Sequence, residues 1–342
     1  SGTPHPYDFT RGQSSYDLEI EIDPTSNNIA YVGGINWFRT SNGGNSWDQI
    51  SKWTSSFYNH NSIGAGVVHA DMHGFYLRPG NTNQAIAVGD GGVAYASSLS
   101  DADSNDRFTE IEGDMITTQF YTVAQSPIGF AGSDYIAGGT QDNGSYSLLD
   151  FNNVQTKPGN VISTGDGAET VFDQVGGDYM LTNYVYNDGI QRIGFSEAGV
   201  QQNYWDGIDL STTLSIPSTE GSFINPGALD SNQDVYFSNA GNNIRVITGL
   251  QRGGTPATFL ITGVTSGSDR VTSLEVSSHT TDSSTLFVGL RSGAVKKITN
   301  ANNSGGYTIS GNLHNQTGSV SDIHIGSSEA VSYTHLTLPT KA

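Results

Sequence analysis

The feature that most constrains the fold is a strand-and-turn pattern that recurs about every 50 residues. It is plainest between His69 and Gly144, where HADMHGFYLRP…AIAVGDGGVAYAS is followed by TQFYTVAQSP…YIAGGTQDNGSYS. In each copy a β-rich run, Ala85 to Gly89 or Tyr135 to Gly139, enters a turn that holds a carboxylate and closes on glycine. The turns are Asp90-Gly91-Gly92 and Asp142-Asn143-Gly144. Glycine takes positive φ at no steric cost, so each reads as a tight hairpin between antiparallel strands.

The pattern runs along most of the chain. A first unit has strand-like runs at 17–23, 28–33, 35–41 and 47–51, and a second occupies about 69–112. A third covers about 119–154, and a fourth turns at Asn187-Asp188-Gly189. A fifth and a sixth follow, and 319–325 reads as the opening strand of a seventh. The equivalent turn residues Gly34, Gly92, Gly144, Gly189, Asn243 and Gly293 stand 58, 52, 45, 54 and 50 positions apart. Four short strands in such a period make a β-propeller blade, and the period is too long for a β-helix coil or a leucine-rich repeat. One blade cannot bury both faces alone, so blades must stack. The expectation is an all-β chain of four-stranded antiparallel blades, about six and part of a seventh, over residues 1–330.

Composition agrees. Of 342 residues 43 are glycine and only 14% are charged, while apolar residues nowhere keep helical spacing beyond a turn or two. Thirty-three acidic against 14 basic residues leave a formal charge of −19, which repels phosphate backbones and anionic membranes and argues against nucleic acid as a partner. Excess acid suits solubility, and it suits divalent cations wherever carboxylates converge. Without cysteine there is no disulfide framework and no thiolate metal site. No run of 18 apolar residues offers membrane insertion.

Both ends read as boundaries imposed on the chain. It starts at Ser1 without an initiator methionine, and the repeat stops at VSYTHLTLPTKA, 331–342, which resembles a translated sequencing adapter. That tail is set aside from fold reasoning as non-native, and the chain is expected to be a fragment of a larger or double propeller.

The stretch Thr40-Ser41-Asn42-Gly43-Gly44-Asn45-Ser46-Trp47 fits the pattern S/T-x-D/N-x-G-x-x-W. Its mechanics are local: the Asn42 side chain bonds turn backbone, Gly44 is left-handed, and Trp47 anchors the hairpin between blades. A degenerate copy lies at 101–108. With this box, the HADMHG run and the GGTQDNG run together, residues 15–330 resemble the Asp-box (BNR) and YVTN-like β-propellers, nearest their sortilin-type and xyloglucanase-type branch. That resemblance implies a secreted or cell-surface bacterial protein. Its scaffold serves both hydrolases and pure binding propellers, so it carries no activity by itself.

In a four-stranded blade, the turn after the second strand and the loop into the first share one face. Asp90, Asp142 and Asp188 are therefore expected around one rim, joined by Asp166 of Gly165-Asp166-Gly167. The reading adopted is a binding or adhesion module that recognises a glycan or protein ligand there, with Asp166, Asp188, Trp53 and Tyr58 as contacts and no cofactor required. The alternative is a glycosidase with Asp90 and Asp142 as its carboxylate pair, one of raised pKa. Xyloglucanase-type enzymes carry a catalytic Asp in a context that AVGDGGVAY resembles. Trp37 and Trp205 are further aromatic platforms. The sialidase variant needs an arginine triad in an Arg-Ile-Pro context that none of the nine arginines has. Finally, alternation along His69-Ala70-Asp71-Met72-His73 sets His69, Asp71 and His73 on one strand face, as a structural brace or a metal site. Zinc would suit that set, and calcium the Asp rim.

Overall fold

The computed structural model describes residues 9–54, 63–111, 118–127, 135–149, 160–195, 207–315, 317–326 and 331–334. The chain divides into two compact units, Ser1–Thr117 and Thr118–Ala342.

The first unit holds two four-stranded antiparallel sheets. One is β1 (Glu19–Ile22), β2 (Ala30–Gly33), β3 (Trp37–Thr40) and β4 (Asp48–Gln49). A short parallel pair, β5 (Ser51–Lys52) and β6 (Gly66–Val67), leads to the other, β7 (Met72–Arg78), β8 (Asn81–Gly89), β9 (Gly92–Ala96) and β10 (Phe108–Glu110). The second unit continues with β11 (Phe120–Gln125), β12 (Tyr135–Thr140), β13 (Gly144–Leu149) and β14 (Asn160–Ser163). Next come β15 (Thr170–Phe172), β16 (Tyr179–Thr182), β17 (Gln191–Gly194) and β18 (Ile208–Asp209). A four-residue helix, α1 (Leu210–Thr213), starts on an Asp209 cap and is the sole α-helix among the described residues. A further sheet is β19 (Gly227–Asp230), β20 (Val235–Ala240), β21 (Asn243–Thr248) and β22 (Ala257–Ile261). In the next, β23 (Val271–Val276), β24 (Thr285–Leu290), β25 (Ala294–Thr299) and β26 (Thr308–Ile309) are joined by β27 (His314–Asn315) beside β25. Last come β28 (Asp322–Ile325) and β29 (Val331–Thr334), which pair with each other.

Every sheet of four or more strands is a meander in chain order, as hairpin connections require. Within each unit the first strand of one sheet lies against that of the next: β1 against β7, then β11, β15, β19, β23 and β28 in succession. The apolar clusters fall between successive sheets. Tyr31, Trp37, Met72 and Phe75 join the two sheets of the first unit. Tyr135, Phe172, Met180 and Ile193 do the same between the first two of the second unit, and Phe237, Ile244, Leu286 and Val288 between two later ones. Sheets stacked face to face through their first strands are the blades of a β-propeller. Two of the second strands, β16 and β24, are buried along their whole length and so covered on both faces, which explains the β24 apolar run without alternation.

The turn between first and second strands is closed by a recurring side-chain cap. Asp23 Oδ1 accepts from Thr25 N, Asp173 Oδ1 from Val175 N and Asp230 Oδ1 from Asn232 N. Each is an Asx turn set into the end of a strand. Close approach between blades falls on glycine: a Cβ on Gly139 would meet the carbonyl oxygens of Ala168 and Gly167 at 2.2 and 2.3 Å.

Two boundaries differ from expectation. The fourth strand of the third blade is Asn160–Ser163, beyond the expected end near 154, after an intervening stretch outside the described residues. The tail set aside at 331–342 supplies β29, in register with β28 from Asp322↔Thr334 to Ile325↔Val331.

Candidate functional site

In five blades a backbone bond ties the end of the second strand, or the turn after it, to the entrance of the first. It runs from Asp90 N to Asp71 O, Gln141 N to Gln119 O, Asn183 N to Glu169 O, Asn239 N to Pro226 O and Arg291 N to Arg270 O. These two loops therefore share one face within each blade, as the sequence suggested. The bonds also align the blades: the counterparts of Asp90 are Gln141 and Asn183, so Asp142 sits one residue further on and Asp188 five.

In the first unit this face carries a compact cluster. Asp90, held between β8 and β9, accepts from Tyr16 Oη through Oδ2 at 2.8 Å, and its Oδ1 lies 2.6 Å from His73 Nε2. The Tyr16 ring stands edge-on to His73, with centroids 5.0 Å apart. Asp71 accepts from Gln13 Nε2 at 3.2 Å, and one of its carboxylate oxygens lies within 4.8 Å of one of Asp90's. Asp17, just before β1, is fully buried, and neither of its oxygens has a hydrogen-bond partner among the described residues. Burial raises the Asp17 pKa to about 6; Asp71 adds to the rise, while its own backbone N–H and His73 oppose it. Burial, then Asp90, raises Asp71 as well, against His69, Gln13 and His73.

The shared face expected for His69, Asp71 and His73 is corrected by the backbone. Asp71 is left-handed, at φ 64°, so period-2 alternation breaks just before β7 begins at Met72. His73 turns to Asp90, whereas His69 packs on the next turn, where a Cβ on Gly91 would meet its side chain at 2.1 Å. The cavity beside that turn, lined by His69, Gly91, Val93 and Glu110 among others, measures about 10 Å³, room for about one water.

In the second unit the other three acids do come together. Asp166 Oδ1 accepts from Asp142 N at 3.1 Å, and Asp166 bridges to Gly144. Tyr184 is pushed up in pKa by burial and then by Asp166, Asp188 and Asp142. Asp142 is left-handed at φ 58°, and Asp188 closes a local turn whose carbonyl accepts from Tyr184 N. Asp90 and Asp142, the expected carboxylate pair, belong to different units.

Of the aromatic contacts expected, Trp53 is half-buried, and Tyr58 and Trp205 lie outside the described residues. Trp37 is no platform: it is fully buried against Phe75, centroids 4.5 Å apart. The box at 40–47 has the expected backbone. Asn42 Oδ1 accepts from Ser46 N, Thr40 Oγ1 accepts from Gly44 N, and Gly44 is left-handed at φ 86°. Its anchor is corrected, because Trp47 is 41% exposed. In the degenerate copy Arg107 pairs with Asp101.

Sequence reading passed over Asp17, Tyr16, Gln13 and Tyr184. Asp17 had a signal, since it precedes a first strand as Asp71 does. The other three had none, because no spacing rule links position 16 to position 90.

No protein-family model matches the chain, and no curated protein matches it. Among solved structures, it is similar to one described as an ancestral GH74 enzyme, at 14% identity and a TM-score of 0.41, over 86% of this chain and 38% of that one. It is also similar to a chain of a mitotic checkpoint complex, at 11% identity and a TM-score of 0.43, over 98% of this chain and 96% of that one. The chain thus spans well under half the length of the GH74 enzyme, and at these scores neither likeness bears on activity.

Proposed function

We propose that the chain is a propeller of the Asp-box class that binds a glycan or protein ligand outside the cell without turning it over, through the loops that enter the first strands and follow the second strands of its blades, which carry Asp71 and Asp90 in the first unit and Asp142, Asp166 and Asp188 in the second. The observation that carries this reading is the engagement of Asp90. Both its oxygens are engaged, by His73 and Tyr16, which hold the carboxylate in place as a fixed polar contact for a ligand. The adjoining cavity is too small for a sugar ring.

A second reading, the glycosidase, has its own support. Asp71, beside Asp90, holds its proton more tightly than an ordinary carboxyl, the pairing of acid and carboxylate such enzymes use. Affinity electrophoresis through soluble polysaccharides, with reducing ends assayed in parallel, separates the two. Retardation without new reducing ends supports binding; steady release of reducing ends by wild type, abolished in Asp90→Asn, establishes hydrolysis instead.

A further inference from the structure

We propose that a cavity between two blades of the second unit binds a free α-amino acid, with the ligand carboxylate on Arg192 and its ammonium on Asp178. This site is separate from the ligand face described above and stands or falls without it.

In a meander the turns after the first and third strands share one end of the blade, opposite the turn after the second. At that end of the second unit lies a cavity of about 150 Å³. Asp178 enters it from the turn between β15 and β16, Arg192 and Phe195 from β17 and its end, and Leu250 and Arg252 from the turn between β21 and β22. The walls are tied to one another. Phe195 N donates to Asp178 O at 2.7 Å, and Arg192 Nη1 donates to the carbonyls of Leu250 and Gln251 at 3.0 and 3.4 Å. Beside Gly91 a cavity of about 10 Å³ has room for one water, whereas this one admits a molecule of several heavy atoms and is too small for an oligosaccharide.

The charges on the walls select the ligand. Arg192 is half-buried, and in a chain with 33 acidic residues it forms no ion pair among the described residues. Its Nε and Nη2 make no hydrogen bond among them either. A guanidinium drawn partly out of water calls for an anion, and the edge made by Nε and Nη2 grips a carboxylate through two parallel bonds. Asp178 brings the opposite charge. Burial and then Asp173 raise its pKa, while the Arg252 backbone N–H and the charges of Arg252 and Arg192 oppose the rise. Asp173 is fully buried, and its Oδ2 has no partner among the described residues. A Cβ on Gly176 would stand 2.6 Å from that oxygen and 3.9 Å from Asp178 Oδ1, so the two acids meet at one spot. An ammonium answers such a pair with three donors.

Arg192 and Asp178 thus line one cavity with opposite charges and do not pair with each other. A plain anion is opposed by the acids and a plain cation by the arginines, whereas a zwitterion satisfies both sides. The α-amino acid carries its two charges on one carbon and matches the size. Tyr179, Phe195 and Leu250, all buried, complete the walls and suit an apolar side chain.

The test titrates the full chain at pH 7.5 with L-alanine, L-leucine and L-phenylalanine by calorimetry, and then with two half-ligands of leucine, 4-methylpentanoate and 3-methylbutylamine. Saturable one-site binding of at least one amino acid is expected, with both half-ligands at least about tenfold weaker than leucine. Arg192→Lys, which keeps the charge and loses the fork, and Asp178→Asn should each weaken binding by at least about the same factor. Arg78→Gln, which removes a guanidinium of the first unit, should leave it unchanged. Should Arg192→Lys fail to fold, Asp178→Asn carries the test. Absence of saturable binding by all three amino acids overturns the site, as does binding indifferent to both variants. Binding of 4-methylpentanoate as tight as that of leucine would make it a plain anion site, and equal binding of 3-methylbutylamine a plain cation site; either result contradicts the proposal.

Discussion

His73 Nε2 and Asp90 Oδ1 lie 2.6 Å apart although one side chain stands on the first strand of its blade and the other in the turn after the second. Their contact repeats, in side chains, the backbone bond from Asp90 N to Asp71 O. His73 and the Tyr16 hydroxyl hold the Asp90 carboxylate from two sides, one on each oxygen, while the backbone bond anchors its main chain.

Tyr16→Phe removes one of those donors and leaves the ring against His73. A net loss of about 0.5–1.5 kcal/mol in folding stability is expected, read by urea denaturation. An unchanged midpoint would show that the hydroxyl does not hold Asp90 in solution.

The two tryptophans of the first sheet should behave oppositely. Trp37→Ala empties a fully buried site and should cost about 3–5 kcal/mol. Trp47→Ala, at an exposed ring, should stay within about 1 kcal/mol of wild type. Equal losses would restore Trp47 as the anchor of the box.

In the second unit Glu220 accepts from Arg245 through both oxygens, Nη2 to Oε1 at 2.6 Å and Nε to Oε2 at 3.0 Å, and Oε2 also accepts from Asn187 Nδ2. Both charged side chains are largely buried. Glu220→Ala strands a guanidinium and should cost about 3–5 kcal/mol. Glu220→Gln should recover part of that in the same denaturation experiment.

Glu169 and Glu275 are each raised to about 7 in the folded chain, Glu169 by burial, and Glu275 by burial and then Asp322, with His324 opposing. A carboxyl raised on folding binds its proton more tightly in the native state, so its stabilising contribution is full below the unfolded value near 4.5 and is lost as pH rises to about 7. Denaturation midpoints should therefore fall between pH 5 and pH 8. Glu169→Gln should flatten that slope; an unaltered slope would show that Glu169 ionises normally.

Much of the fold was legible because the sheet physics is local. Gly33, Gly89, Gly139 and the runs they close mark second strands, and alternation or apolar runs mark the rest. The fourth strand at Asn160–Ser163 escaped because its pairing with β13 crosses a long insertion that no local rule spans. The site was legible only in part. Asp90 and Asp71 announce themselves by turn chemistry, but left-handed backbone at Asp71 cannot be read from period-2 alternation. Trp47 fits its pattern and still faces solvent, since burial depends on what a neighbouring blade presents. The convergence of Tyr16, Asp17 and Gln13 on residues more than 50 positions away is a product of blade stacking alone.

The most direct measurement of the central claim is the mobility of wild type and Asp90→Asn in gels containing a panel of soluble polysaccharides and in pull-downs with glycoprotein ligands, with reducing ends counted throughout. The account predicts retardation or capture of wild type, marked loss of it in Asp90→Asn at an unchanged fold, and no new reducing ends from either. Catalytic release of reducing ends by wild type, or retention identical in the two proteins, would contradict it.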